Sequence, residues 1–303
     1  MLQTSTVSKI NERDLPAALA AVQVKRLTNN DAAEVLQFLA QRPIHTVTMM
    51  SLIHDNGIVS PFNRGTFYGC RDLNGQLEGV ALVGHATLME TISDRALAAL
   101  AQVARECPST HLIMGEKERV ADFWSHYSET GRRQRLACRE LLFELTWPVE
   151  AREPIAGLRP AQPSELELVM PIQAELAFAE SGINPMQVDP QGFRERCLRR
   201  IEQRRTWVVV ENGELIFKAD VISKTTEVIY LEGVWLREDC RHQNFGTRFM
   251  SELMRRLLED TKSICLLVNE TNTWAQRFYS KCGFHFRATY ETIFLPRKEQ
   301  VQN

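Results

Sequence analysis

The sequence predicts an α/β fold of the α+β kind, arranged as two similar halves, and three observations carry that expectation. The chain has 303 residues, long for one ordinary domain and comfortable for two. Two segments open alike: Arg26-Leu-Thr-Asn-Asn-Asp31-Ala-Ala-Glu34 and Arg159-Pro-Ala-Gln-Pro-Ser164-Glu-Leu-Glu167. Each reads as a short strand, a turn and a helix opened by a capping box, Asp31 with Glu34 and Ser164 with Glu167. Farther on, each half carries an Asn-Gly turn between apolar runs, at Asn74-Gly75 and Asn212-Gly213. Asn-Gly is a strong hairpin signal because both central residues of that turn need φ > 0. Matching order and nearly matching spacing point to an internal duplication. The expected division is residues 1–147, a linker over 148–156, and residues 157–303. The linker is polar and contains Pro148 and Pro154.

The elements of the second half follow from local pattern. A strand near Leu158 leads to a helix over residues 164–180, interrupted by Pro171. A loop over 181–188 precedes a helix capped by Asp189 with Pro190 at its first position, and its apolar stripe is Phe193, Cys197, Leu198 and Ile201. Residues 206–211 and 214–223 form the hairpin, and 228–236 a third strand. The next helix, over 246–260, sets Phe249, Leu253 and Leu257 on one row and Met250, Met254 and Leu258 on the next. Residues 264–268 read as a buried strand and 273–281 as a short helix. Two strands, over 284–287 and 290–295, are expected to close the chain.

Composition narrows the function. The chain is 44% hydrophobic and 24% charged, with a formal net charge of -2, which argues against a general binder of nucleic acid or anionic membrane. No run approaches the roughly 20 apolar residues of a membrane span, and the opening MLQTSTVSKINERDLP lacks the apolar core of a signal peptide. Seven cysteines, an odd number without zinc-ligand spacing, read as reduced thiols in a cytoplasmic protein that holds no metal.

Chemistry concentrates in two segments. Val234-Trp-Leu-Arg-Glu-Asp-Cys-Arg241-His-Gln243-Asn244-Phe-Gly246-Thr-Arg248 joins a strand to the N-terminus of an amphipathic helix. Helix N-termini expose unpaired N–H groups and the positive end of the macrodipole, which suits a pyrophosphate. This loop resembles the pyrophosphate loop of the GNAT N-acetyltransferases, Arg/Gln-x-x-Gly-x-Gly/Ala, with Gln243 or Arg241 near the basic position, Asn244 in place of the first glycine, and Gly246 as the second. Asn is the non-glycine residue that best tolerates φ > 0. The second segment, Asn272-Thr-Trp-Ala275-Gln-Arg-Phe278-Tyr279-Ser-Lys-Cys-Gly283-Phe284, fits the family pattern Asn-x-x-Ala-x-x-x-Tyr-x-x-x-Gly-Phe throughout. Locally it reads as a helix capped by Asn272 and ended by Gly283, with Ala275 and Tyr279 on one face.

The resemblance implies two GNAT-like domains, each a mixed, mostly antiparallel twisted sheet flanked by helices, with acetyl-CoA as co-substrate of an N-acetyltransferase. It implies cofactor contacts from Val234, Trp235, Leu236, Arg241, His242, Gln243, Asn244, Phe245, Gly246, Thr247, Asn272, Ala275 and Tyr279. It assigns protonation of the leaving thiolate to Tyr279, because a phenol near pKa 10 stays protonated. Glu232 interrupts the apolar strand Ile229-Tyr-Leu-Glu-Gly-Val234 and is the first candidate base, with a salt bridge to Lys218 as its structural alternative. Asp220 is the second candidate. The first half lacks the glycine loop after its strand over 89–92, so the resemblance there is to a degenerate repeat. The expected partners are acetyl-CoA and an amine acceptor, with no nucleic acid or membrane, and a homodimer as the open association. Two other readings stay open: a non-catalytic acyl-CoA-binding module, and aminoacyl transfer by a tandem-GNAT enzyme, which needs a basic groove that the overall charge does not favour.

Overall fold

Residues 22–150, 156–241 and 244–296 are described in this computed structural model. The opening segment read against a signal peptide, part of the expected linker, and His242 and Gln243 of the glycine loop lie outside the described residues.

The first half runs β1 (Val22–Arg26), α1 (Ala32–Leu39), α2 (Pro43–Asn56), β2 (Gly65–Asp72), β3 (Leu77–Gly84), β4 (Ala86–Thr91), α3 (Asp94–Arg105), β5 (Leu112–Glu116), α4 (Lys117–Tyr127) and β6 (Leu136–Thr146). The second runs β7 (Arg159–Pro160), α5 (Leu166–Ser181), α6 (Pro185–Val188), α7 (Pro190–Glu202), β8 (Thr206–Glu211), β9 (Glu214–Lys224), β10 (Val228–Leu236), α8 (Phe245–Leu257), β11 (Ser263–Asn269), α9 (Thr273–Lys281) and β12 (His285–Phe294). Apart from the short α6, which has no counterpart in the first half, the two halves repeat one order of elements.

Several local readings shift by a few residues. The capping boxes pair Thr28 with Asp31 and Gln162 with Glu165, each opening a 3-10 turn, rather than Asp31 with Glu34 and Ser164 with Glu167. Glu34 and Glu167 instead meet Arg71 and Arg194. The short turn tightens the entry, so the acidic residue one turn earlier reaches the free N–H. Asn212 and Gly213 both take positive φ, 50° and 80°, whereas in the first half only Gly75 does, at 83°. There Asp72 Oδ1 accepts the Asn74 and Gln76 amides and closes a longer turn. The two expected closing strands are one, β12, bent by a register shift between Phe286 and Ala288.

All strands join one sheet, in the order β1-β2-β3-β4-β5-β12-β6-β11-β10-β9-β8-β7. The halves exchange their last strands. β12 pairs with β5 of the first half, and β6 pairs with β11 of the second, with the two exchanged strands side by side at the centre. Among the described residues every pairing is antiparallel except β4 with β5 and β10 with β11. The predicted rows of α8 are buried: Phe249, Met250, Leu253, Met254, Leu257 and Leu258 pack on Ile229, Leu231, Ile264 and Leu266. Each such side chain contributes about 1.5–3 kcal/mol on burial. On the opposite face α5 and α7 cover β8 and β9 through Met170, Phe193, Cys197 and Ile201. Beside them lies α2 of the first half, whose Val47 packs on Tyr230, Cys265 and Leu142. Arg205 holds Asp55 through two hydrogen bonds, at 2.7 and 2.8 Å, across the same seam.

Candidate functional site

The site forms where the parallel pair β10 and β11 separates. Their register holds from Val228 with Ser263 to Leu231 with Leu266 and then stops. On its other edge β10 slips against β9 between Glu232 and Trp235. Gly233 sits in that slip with φ +59°, and a Cβ there would come 2.9 Å from Lys218 Nζ, so the position needs glycine twice over. Val234, Trp235 and Leu236 therefore continue a strand whose β11 side is unpaired, leaving backbone donors at the opening of a V.

The loop after β10 ends on Asn244, which takes the left-handed conformation at φ 59°, ψ 5°. It has no side-chain cap bond to α8, so the first amides of that helix, at Phe245, Gly246 and Thr247, are left without a capping side chain. Thr247 Oγ1 donates to the Asn244 carbonyl at 2.9 Å, and Lys281 Nζ donates to Asn244 Oδ1 at 3.3 Å. A Cβ at Gly246 would lie 3.1 Å from a ring carbon of Phe278, so glycine here lets α8 approach α9 closely. Arg241 Nε donates to the Leu236 carbonyl at 3.2 Å and steadies the loop's start. A loop in αL leading to an uncapped helix end is what an anionic pyrophosphate requires, so the residues present fit one.

α9 is positioned by its ends. Asn272 Oδ1 accepts the Ala275 amide at 3.0 Å, and Gly283, at φ +94°, turns the chain into β12. Tyr279 is half-buried against Phe278 and Phe284, with ring centroids 5.2 and 5.7 Å away, and its hydroxyl has no hydrogen-bond partner among the described residues. Burial, and then the neighbouring Cys282, push this phenol above its ordinary value, so it stays protonated.

The structure separates the two candidate bases. Asp220 is 1% exposed and receives Lys218 Nζ at 2.6 Å, Thr206 Oγ1 at 2.8 Å and Arg200 Nη1 at 3.1 Å. Burial opposes its charge, but Lys218 and Arg200 outweigh it and keep the carboxyl below its usual range. Lys218 spends its other bonds on Gln173 and the Gly233 carbonyl, so the salt bridge to Glu232 weighed from sequence is replaced by one to Asp220. Glu232 instead accepts the Tyr230 hydroxyl at 2.6 Å, and burial pushes its carboxyl upward.

Two further carboxylates, which no sequence motif marks, belong to this neighbourhood. Glu140 lies on β6, the strand donated by the first half, and accepts Thr292 Oγ1 at 2.7 Å. Burial raises its pKa, and Glu232 adds repulsion. Glu180, near the end of α5, stands at the open rim where water reaches it; partial desolvation and then Glu232 and Glu140 push it upward too. Tyr230 is raised by burial and by the same three carboxylates. Carboxyls raised by burial, with Glu232 adding to the rise of Glu140 and Glu180, favour an arriving cation and can take up a proton.

Residues 173–284 match the family model of the acetyltransferase (GNAT) family. That segment, running from within α5 to the residue before β12, is similar to a GNAT domain. A comparison with curated proteins finds no match. Solved structures resemble nearly the whole chain at low identity. A GNAT-family acetyltransferase from Colwellia psychrerythraea is 13% identical, with a TM-score of 0.56 over 90% of this chain and 100% of that one. A Drosophila protein is 11% identical, with a TM-score of 0.63 over 90% and 98%. A tandem GNAT protein from the clavulanic acid biosynthesis pathway is 14% identical, with a TM-score of 0.54 over 89% and 98%. These likenesses span both halves, so the fold they share extends over the first half as well as the second. Among the described residues no group of His, Cys, Asp and Glu is placed to hold a metal, no helix is long and apolar enough to cross a membrane, and the seven cysteines are free.

Proposed function

We propose that the protein is an acetyl-CoA-dependent N-acetyltransferase in which the second half carries out acyl transfer and the first half completes the acceptor side. The observation that supports this most directly is the opening between β10 and β11, with the uncapped start of α8, Tyr279 on α9 and Glu232 on β10 gathered around it. The amides of Phe245, Gly246 and Thr247 would hold the pyrophosphate, with Arg241, His242, Gln243 and Asn244 forming the loop around it. Val234, Trp235 and Leu236 would line the pantetheine arm, and the free backbone donors near Val234 would polarise the thioester carbonyl. Asn272 and Ala275 set the position of Tyr279 beside it.

An amine acceptor arrives as an ammonium ion and must lose a proton before it can attack. Glu232, with Glu140 and Glu180, would draw the cation and accept that proton. The neutral nitrogen would then attack the carbonyl carbon, the C–N bond forming as the C–S bond breaks. The Tyr279 hydroxyl would give its proton to the departing thiolate, and the second proton shed by the new amide nitrogen would return through solvent to the Tyr279 phenolate. Asp220, locked by three partners, serves the frame that holds Lys218 and Gly233 rather than proton transfer. Residues 181–188, which contain α6, would border the acceptor's entrance. A thiol-release assay with acetyl-CoA across classes of amines tests the reading. At least one class should release CoA well above the hydrolytic background and lose that activity in Tyr279→Phe. Background rates for every class, with CoA still bound, would turn the reading toward a non-catalytic acyl-CoA module.

A further inference from the structure

A second concavity lies away from the opening between β10 and β11, in the seam between the halves. Its volume is about 560 Å³, and it is walled by β5 and β12 on one side and by α5, α6 and the start of α7 on the other. That size falls in the roughly 300–1,000 Å³ range of small-molecule sites. Leu112, Ile183, Val188 and Phe294 supply apolar walls, and His85 and His111 stand edge to face at 4.6 Å.

Its charge is one-sided. Three guanidinium groups, Arg64, Arg135 and Arg196, face a single lining carboxylate, Asp189. Asp189 is already engaged, accepting Arg196 Nη1 at 2.9 Å and the Gly192 amide at 3.0 Å. Arg135 stacks on Phe294, with its guanidinium carbon 5.5 Å from the ring centre, and gives one N–H to the Ser181 carbonyl at 3.0 Å. Its Nε is buried and has no hydrogen-bond partner among the described residues. Arg64, at the mouth, keeps solvent access and has neither an ion pair nor a side-chain hydrogen bond among the described residues. Crowding around its guanidinium, and then repulsion from Arg196, hold it below its usual value, though Asp189 offsets part of this. An orphaned buried donor costs about 1–3 kcal/mol. Like-charged guanidinium groups beside an apolar wall are relieved by an oxyanion that can meet their planar forks.

We propose that this inter-half crevice is a binding site for a small organic anion, a carboxylate or a phosphate ester, held by Arg64 and Arg135 and distinct from the acyl-CoA site. The inference does not depend on acetyl transfer, and its test separates the two. Calorimetric titration of the full chain, with CoA at saturation so that the α8 loop is filled, should reveal saturable binding of at least one of three probes: inorganic phosphate, glycerol phosphate or succinate. A preference for glycerol phosphate over succinate identifies the phosphate source, and the reverse the carboxylate source. Arg64→Gln, at a rim position with no partner to lose, should weaken that binding about tenfold, and Arg135→Gln by at least as much, the loss expected for a charged hydrogen bond. CoA affinity should stay unchanged in both variants. If all three probes fail to saturate, or if the Arg64→Gln chain binds them as tightly as the original, the proposal is overturned.

Discussion

The two halves solve the same geometric problem in opposite ways. Each has one parallel pair that stops early, β4 with β5 after Leu88 and Met114, and β10 with β11 after Leu231 and Leu266. Each places a glutamate just beyond the break, Glu90 in the first half and Glu232 in the second. In the first half the opening is stapled shut. Arg42, at the entry of α2, reaches Glu90 on β4 at 3.1 Å and Glu116 on β5 at 2.7 Å. His45 Nδ1 lies 2.8 Å from the Tyr290 hydroxyl beside them. In the second half no side-chain cation bridges β10 and β11 among the described residues, and Glu232 accepts a tyrosine hydroxyl. A splayed parallel pair is therefore not itself a site. On the proposed reading it becomes one only where no cation bridges its arms and the helix after the strand starts without a side-chain cap, as α8 does and α3, capped by Ser93, does not.

The largest effect that would break this comparison concerns Tyr279 on α9. Tyr279→Phe should lower kcat by about 10²-fold or more and leave acetyl-CoA affinity almost unchanged, as expected when a general acid is removed. Stopped-flow and steady-state kinetics with a competent amine would measure both. An unchanged kcat with chemistry limiting would take Tyr279 out of the mechanism.

Glu232→Gln comes next, with an expected loss of about 10²-fold near neutral pH, the low end for general base catalysis. The carboxyl's pKa is raised by burial, so the base form, and with it the rate, should appear as pH rises through that value. Glu180, raised by burial and then by Glu232, can contribute to the same limb. The variant lacks the limb and should recover toward the original rate at higher pH, where the amine is already neutral. A pH-independent ratio of the two rates would make Glu232 structural.

Arg42→Met sharpens the other arm of the comparison. It leaves Glu90, 7% exposed, without its cation. The cost should be about 1–3 kcal/mol of stability near neutral pH, discounted from a fully buried pair because Arg42 is partly in water. Glu90 is already raised by burial, against which Arg42 works, so removing Arg42 raises it further. A carboxyl whose folded pKa lies above its unfolded value loses stability as pH rises through the folded pKa. The penalty in the variant should therefore shrink as pH is lowered and Glu90 becomes neutral, which denaturant unfolding at several pH values would reveal. A penalty that stays the same or grows in acid would mean that Arg42 does not act by compensating a buried carboxylate.

The smallest expected effect is at Asn244. Its φ of 59° costs an alanine roughly 1 kcal/mol or more and a glycine nothing. Asn244→Gly should keep acetyl-CoA affinity, and Asn244→Ala should reduce it about fivefold. The reverse order would assign the affinity to the side chain, through the bond from Lys281 to Asn244 Oδ1.

What was legible in the sequence is local. The Asn272 cap, the αL positions of Asn244, Gly213 and Gly283, the buried rows of α8, and the repeated order of elements all rest on interactions within a few residues, where spacing alone determines which groups meet. Even there, the capping boxes moved by three residues in the first half and two in the second, because each helix is entered through a 3-10 turn. The tertiary structure decided the rest. β6 and β12 carry similar alternating patterns, and either sheet edge could accept either strand, so their exchange is not written in either segment. That exchange delivers Glu140 from the first half to Glu232 of the second, and the packing of α5 brings Glu180 to both. Lys218 can face either of two carboxylates from its place on β9, and only the slip at Gly233 turns it to Asp220 and leaves Glu232 to Tyr230. Short-range geometry is fixed by covalent spacing, whereas long-range pairing is a choice among nearly equivalent edges that packing settles for the chain as a whole.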